Sequence, residues 1–176
     1  MRGADVFLLR GHNSVESNYS IAEEKFTTVN DLFSKIKKNI KNFDIVIHAA
    51  AVSDFEANNK KNEKIKSHEE LHLELTPTTK ILENLKSLNK KMFLVGFKAE
   101  HKLGNNQLIN SAYNLLKSAN ADLVVANDVG KRGRGFDVGT NEVFIVGKNK
   151  KVEHIGLSDK RIIADKMLNT IIKNIE

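Results

Sequence analysis

One stretch of the chain joins small residues to polar ones: His48-Ala-Ala-Ala-Val-Ser-Asp54. Alanines let a ligand come close to the backbone, and the Asp54 carboxylate can bind a metal ion, a base or a sugar. The same pattern also suits tight helix packing, with Asp54 as a turn or cap residue. Next comes a burst of lysines, Asn59-Lys-Lys-Asn-Glu-Lys-Ile-Lys66. Such a run can close over a polyphosphate and cancel its charge, or stand solvated. Phe97, ahead of Lys98-Ala-Glu100, can stack on a base or fill a core. Asn127 and Asp128 offer a donor and an acceptor, or an Asx turn. Gly130-Lys-Arg-Gly-Arg-Gly-Phe136 is glycine-rich and basic, but no Gly-Lys-Ser/Thr follows it as in a P-loop. Its one aromatic is too few for a nucleic-acid stacking platform. The six histidines lack zinc-ligand spacing, and no metal site is expected. With no cysteine there is no thiolate nucleophile, and no Gly-x-Ser-x-Gly elbow marks a serine hydrolase.

The elements that must carry these groups follow from periodicity. Residues 4–9 form a short buried strand that Arg10-Gly11 closes. Residues 12–24 are polar and without period, a loop, and residues 25–28 make a second short strand. Thr28, with Asp31 three residues on, caps a helix whose Val29, Leu32, Phe33, Ile36 and Ile40 share a face. Residues 43–48 are a β-branched run that reads as a strand buried on both faces. Residues 54–70 break the pattern, and Leu71-His-Leu-Glu-Leu75 alternates like a half-exposed strand. Thr78 or Thr79 caps a helix carrying Ile81, Leu82, Leu85 and Leu88. Strands at 91–97 and 122–126 flank a helix at 107–119. Residues 129–140 are a flexible loop. Residues 141–146 and 151–155 pair as a hairpin across Gly147-Lys-Asn-Lys150. Ser158 caps a last helix with an apolar face from Ile162 to Ile175. Strands alternating with helices imply βαβ units and a mostly parallel sheet covered on both faces. In such sheets ligands bind beyond the carboxyl ends of the strands, which is where the polar groups above fall.

Composition narrows the class. The 176 residues suit one compact domain, 40% hydrophobic and 28% charged. No run approaches the roughly 20 apolar residues of a membrane span, and the apolar start is too short for a signal peptide. The chain reads as a cytoplasmic protein without membrane or nucleic-acid partners. Its formal net charge of +6 favours anionic ligands.

Taken in order, Ala49-Ala-Ala-Val-Ser-Asp54, Lys64-Ile-Lys66, Val95-Gly-Phe-Lys-Ala-Glu100, Ala126-Asn-Asp-Val129 and Phe136 to Val143 resemble the successive signatures of phosphopantothenoylcysteine synthetase. Arg2-Gly-Ala-Asp-Val6 is similar to that domain's second strand. Each motif alone is weak, but five in order over nearly the whole chain are specific. The resemblance implies a Rossmann-like, doubly wound, mostly parallel sheet with a flap and a C-terminal hairpin. It implies a single domain over 1–176 that lacks the family's first strand and glycine-rich loop. The implied activity is that of an acid–amino-acid ligase of coenzyme A biosynthesis. It joins 4'-phosphopantothenate to cysteine through an acyl-nucleotide, at the expense of CTP rather than ATP, with Mg2+ on the triphosphate. A homodimer and an attached decarboxylase domain are further expectations, as is impaired activity of the shortened chain.

By the same resemblance Lys64 is the catalytic flap lysine. His48, Ala49, Ala50, Asp54, Lys64, Thr79, Lys80, Ile81, Leu82 and Phe97 bind nucleotide. Lys117, Asn127 and Asp128 are candidate phosphate or substrate contacts. Departures from the pattern are Thr78-Thr-Lys-Ile81, where many members have Asn-Pro-Asp-Ile, and Leu115 and Ala119, where they have lysines. A non-catalytic nucleotide-binding or dimerisation module is the alternative reading. An RNA-binding domain is disfavoured by the sparse aromatics, and an NAD-dependent oxidoreductase by the missing Gly-x-Gly-x-x-G.

Overall fold

The structure, a computed structural model, describes residues 2–58 and 72–175. Among these described residues, nine strands and four α-helices follow in the order β1 (Phe7–Gly11), β2 (Ala22–Phe26), α1 (Val29–Asn39), β3 (Ile45–His48), β4 (Phe55–Ala57), β5 (Leu75–Pro77), α2 (Ile81–Leu88), β6 (Phe93–Glu100), α3 (Asn105–Ser118), β7 (Leu123–Asp128), β8 (Thr140–Gly147), β9 (Val152–Asp159) and α4 (Lys160–Ile175). The described chain divides into two units. One takes residues up to Asn39 and from Ala50 to Ile81; the other takes Ile40–Ala49 and everything from Leu82 on.

In the first unit β1 and β2 pair in parallel, and β4 and β5 form a short antiparallel ribbon. β1 does not stop before Arg10, as the sequence reading expects, but runs through Gly11. The Arg10 side chain is buried because Glu23 on β2 takes both its Nε and an Nη, at 3.1 and 2.9 Å, while the Ser14 carbonyl takes the other Nη at 2.9 Å. That cross-strand pair also explains why polar Ala22-Glu-Glu24, expected as loop, belongs to β2. α1 starts where its cap predicts. The Asp31 amide donates to Thr28 Oγ1 and the Thr27 amide donates to Asp31 Oδ2, both at 3.1 Å. Leu32 and Ile36 form its buried stripe. The alternating run at 71–75 is corrected in part. Leu71 lies outside the described residues, His72-Leu-Glu74 is irregular, and the ladder begins at Leu75.

The second unit is a five-stranded sheet in the order β3-β6-β7-β8-β9. β3, β6 and β7 run parallel, whereas β8 and β9 are antiparallel, so the sheet is mixed and carries the expected C-terminal hairpin. β7 is buried along its whole length. On one face Val95, Leu123, Val125, Val143, Ile145 and Ile155 pack with Ile163, Met167 and Ile171 of α4. On the other, α3 lies against β6, β7 and β8 with Leu108, Ala112 and Leu116 buried. Two expectations are corrected here. β3 is not buried on both faces: among the described residues it ends the sheet, and Ile45 and Ile47 are 39% and 40% exposed. Ser158 does not cap α4, because β9 runs on to Asp159. Asp159 Oδ1 accepts the Arg161 amide at 2.7 Å and does the capping, while Ser158 Oγ donates to the Gly156 carbonyl.

Candidate functional site

In the first unit the alanine–serine–aspartate stretch leaves the strand as an extended segment and is tied to the entrance of α2. The Thr78 amide donates to the Asp54 carbonyl at 2.9 Å, and Thr78 Oγ1 donates to the Ser53 carbonyl at 2.5 Å. Thr78 is therefore a strut between two motifs rather than a helix cap. Lys80 Nζ, carried just beyond the strut, hydrogen-bonds Asp54 Oδ1. Two nucleotide-binding candidates separated by 26 positions thus share one ion pair, which nothing in their spacing announces. Ala50, Thr79 and Ile81 sit on the same two segments. Beside them is a cleft of about 330 Å³, lined by Phe26, Thr27, Thr28, Ala51, Ser53 and Glu56 among others. Its lining was missed in the sequence because it draws on the end of β2 and the start of α1, elements with no recognisable motif.

In the second unit His48 ends β3 and lies beside Gly96 of β6. Burial lowers the imidazole pKa from its ordinary value, which favours the neutral ring near pH 7. Gly96 is required by packing. A Cβ there would come 2.6 Å from Leu82 Cδ2, so glycine lets the first turn of α2 settle on the strand next to His48. Phe97, partly buried, packs against the core cluster. Asn127 and Asp128 lie inside β7 rather than beyond it, 8% and 2% exposed. Asp128 Oδ1 accepts the amides of Lys102 at 2.8 Å and Gly130 at 2.9 Å, an Asx turn that also staples the exit of β6. Burial pushes this carboxyl up, yet the two amides and Lys131 pull it net below the ordinary range. Lys117 stands over the Tyr113 ring at 4.9 Å, shared with Lys150 at 5.2 Å. Lys64 and the rest of its lysine run lie outside the described residues. The glycine-rich loop is pinned by an Arg134–Glu142 ion pair and by Thr140 Oγ1 donating to the Gly133 carbonyl. Among the described residues no three histidine or carboxylate side chains converge as a metal site.

The first unit thus offers a cation, a carboxylate and hydroxyls beside an open cleft. The second offers the His48 imidazole at the carboxyl edge of its parallel strands, where α/β proteins of the Rossmann type bind ligands. The fold class this defines is α/β and Rossmann-like. The family model for the DNA/pantothenate metabolism flavoprotein C-terminal domain matches residues 1–175, and the chain belongs to that family. It is 40% identical over 98% of its length to the Coenzyme A biosynthesis bifunctional protein CoaBC of Thermococcus kodakarensis. It is 38% identical over 84% to the protein of the same name from Methanocaldococcus jannaschii. It spans 42% and 36% of those proteins, under half their length. Its fold matches the crystal structure of the DNA/pantothenate metabolism flavoprotein from Streptococcus pneumoniae with a TM-score of 0.84. The match has 24% identity and covers 98% of this chain and 82% of that one.

Proposed function

We propose that the chain is the ligase domain that joins 4'-phosphopantothenate to cysteine at the expense of CTP, in coenzyme A biosynthesis. The observation that carries this reading is the 40% identity, across nearly the whole chain, to a bifunctional protein of coenzyme A biosynthesis. In the first step a carboxylate oxygen of 4'-phosphopantothenate attacks the α-phosphorus, and the bond to pyrophosphate breaks. In the second, the cysteine nitrogen attacks the acyl carbon of the resulting acyl-nucleotide, loses a proton, and the monophosphate leaves as the amide forms. Fixed positive charge matters most as the leaving pyrophosphate gathers charge. Lys64 supplies it in this reading; the nucleotide contacts it names are Ala50, Asp54, Thr79, Lys80 and Ile81 of the first unit and His48, Ala49, Leu82 and Phe97 of the second. Magnesium rides on the triphosphate. The Asp54–Lys80 pair fits that division, since a carboxylate held by an ammonium is a poor ligand for a divalent ion. Lys117, on the surface of α3, and Asn127 and Asp128 are further phosphate or substrate contacts in this reading, and Asp128 also staples two loops through the Lys102 and Gly130 amides. The working form in this reading is a cytoplasmic homodimer that acts with a decarboxylase domain, and the 176 residues alone turn over slowly.

Isothermal titration with CTP, and with ATP as control, in magnesium tests the reading. CTP is expected to bind, and Lys64→Ala to weaken it about tenfold, the loss of one contact of ~1.4 kcal/mol. Failure of both nucleotides to bind the unsubstituted protein overturns the assignment.

A further inference from the structure

The carboxyl end of β6 carries a pair of charges with no role in the ligand contacts named so far. Side chains alternate along a strand, so Lys98 and Glu100 share the face of β6 on which Gly96 meets Leu82 and α3 supplies Ser111. Phe97 is on the opposite face, packed against the cluster that α4 covers. Lys98 Nζ lies 3.3 Å from Glu100 Oε1, and the two side chains are 37% and 26% exposed. Charge-assisted hydrogen bonds of this kind run to about 2.7–2.9 Å, so the contact is loose. Ser111 Oγ donates to the same Oε1 at 2.6 Å and fixes the carboxylate. Both contacts are to one oxygen. Oε2 accepts no hydrogen bond among the described residues and is not one of the buried polar atoms. The neighbouring strand does not compete for the pair. In register on β7 stand Ala126, which offers Lys98 no polar partner, and Asp128, whose carboxylate is taken by the Lys102 and Gly130 amides and by Lys131.

We propose that Lys98 and Glu100 form a subsite for an α-amino acid, the Lys98 ammonium holding its carboxylate and Glu100 Oε2 its ammonium. The inference rests on the ligase reading, in which cysteine is the second substrate. An α-amino acid carries one positive and one negative group on a single carbon. A lysine and a glutamate side by side on one strand face present the same two charges in the complementary order. A lone lysine there would draw the phosphates of the other substrates, and a lone glutamate would repel them. The pair carries no net charge, so it favours the zwitterion over a polyphosphate. Exposed ion pairs contribute little to stability, so one held open at the edge where ligands bind suits recognition better than folding. Ser111 is the positioning residue: by occupying Oε1 it leaves Oε2 for the incoming ammonium.

Amide formation from CTP, 4'-phosphopantothenate and either L-cysteine or cysteamine, which lacks the carboxylate, tests the pair. In the unsubstituted chain kcat/KM is expected to favour cysteine by about tenfold, the scale of one charged contact. Lys98→Met should erase that preference by raising KM for cysteine, with KM for cysteamine and for CTP as before. Glu100→Gln, which keeps an oxygen for Ser111, should raise KM for both amines alike. A Lys98→Met protein that still prefers cysteine overturns the proposal. So does a loss shared equally by the two amines, which marks a structural role, and so does an unsubstituted chain that uses both amines equally. A second readout needs no turnover. Backbone amide signals of Lys98–Glu100 and Ser111 are expected to shift at lower concentrations of L-cysteine than of cysteamine, and Lys98→Met to remove the difference. Such shifts in a chain that makes no amide sink only the ligase reading. Amide formation without a preference for cysteine sinks only the subsite, and the absence of both shifts and amide overturns the two together.

Discussion

Asp122, at the turn into β7, is held from three sides. Lys148 and Lys86 reach its two oxygens at 2.7 Å, and the Leu94 amide donates to Oδ2 at 2.8 Å, while the Asp122 amide donates back to the Leu94 carbonyl. Burial pushes the carboxyl up, but the lysines and the amide outweigh it and its pKa falls below the ordinary value. A depressed carboxyl contributes stability that is fully present above the unfolded-state value near pH 4 and is lost as pH falls through the folded value. Asp122→Asn is expected to cost about 2 kcal/mol at pH 7, the scale of a charged hydrogen bond. It should also flatten the pH dependence of stability below about pH 4. Urea unfolding at several pH values checks both, and an unchanged acid limb would show that Asp122 does not carry it. The ion pair between Lys80 and Asp54 belongs to the same scale, and no spacing rule pairs residues 26 apart across a strand ribbon.

At the scale of the elements, periodicity located every helix and most strands, because each has a buried stripe that follows its own repeat. Leu85, fully buried in the middle of α2, is such a position. Leu85→Ala is expected to cost about 2–5 kcal/mol by equilibrium unfolding, as for other large-to-small core changes. The elements misplaced or missed are those whose ladders rest on something other than apolar pattern: β2, expected at 25–28 but drawn back to Ala22–Phe26 by Glu23 on Arg10, and β4, three residues on a ribbon and not expected at all. Loop geometry was equally hidden. An alanine Cβ at Gly130 would meet the Lys102 backbone nitrogen at 2.8 Å, where Asp128 clamps two turns together. Gly130→Ala is expected to cost about 1–3 kcal/mol through overpacking against backbone that cannot turn away. Stability like that of the unsubstituted protein would mean the β6 and β7 exits are looser than this clamp implies.

For the molecule as a whole, the proposed function links nucleotide binding to folding. CTP at a hundred times its dissociation constant should stabilise the protein by about 2.7 kcal/mol, a rise of roughly 5–10 °C in melting temperature. Lys64→Ala should reduce that rise at fixed CTP, and no rise at any CTP concentration would count against the ligase reading. The amino-acid sequence by itself determined the family, the alternation of strands and helices, the C-terminal hairpin and the identity of the candidate groups. These depend on local period and on short motifs, each contained in a few neighbouring residues. Tertiary structure decided what those groups are next to. It turned Thr78 from a cap into a strut and paired Lys80 with Asp54. It drew Asn127 and Asp128 into a buried strand and, among the described residues, put β3 at the end of its sheet. Each of these depends on which segments meet in space, and the energies that choose those meetings come from contacts between residues tens of positions apart, which no local pattern records.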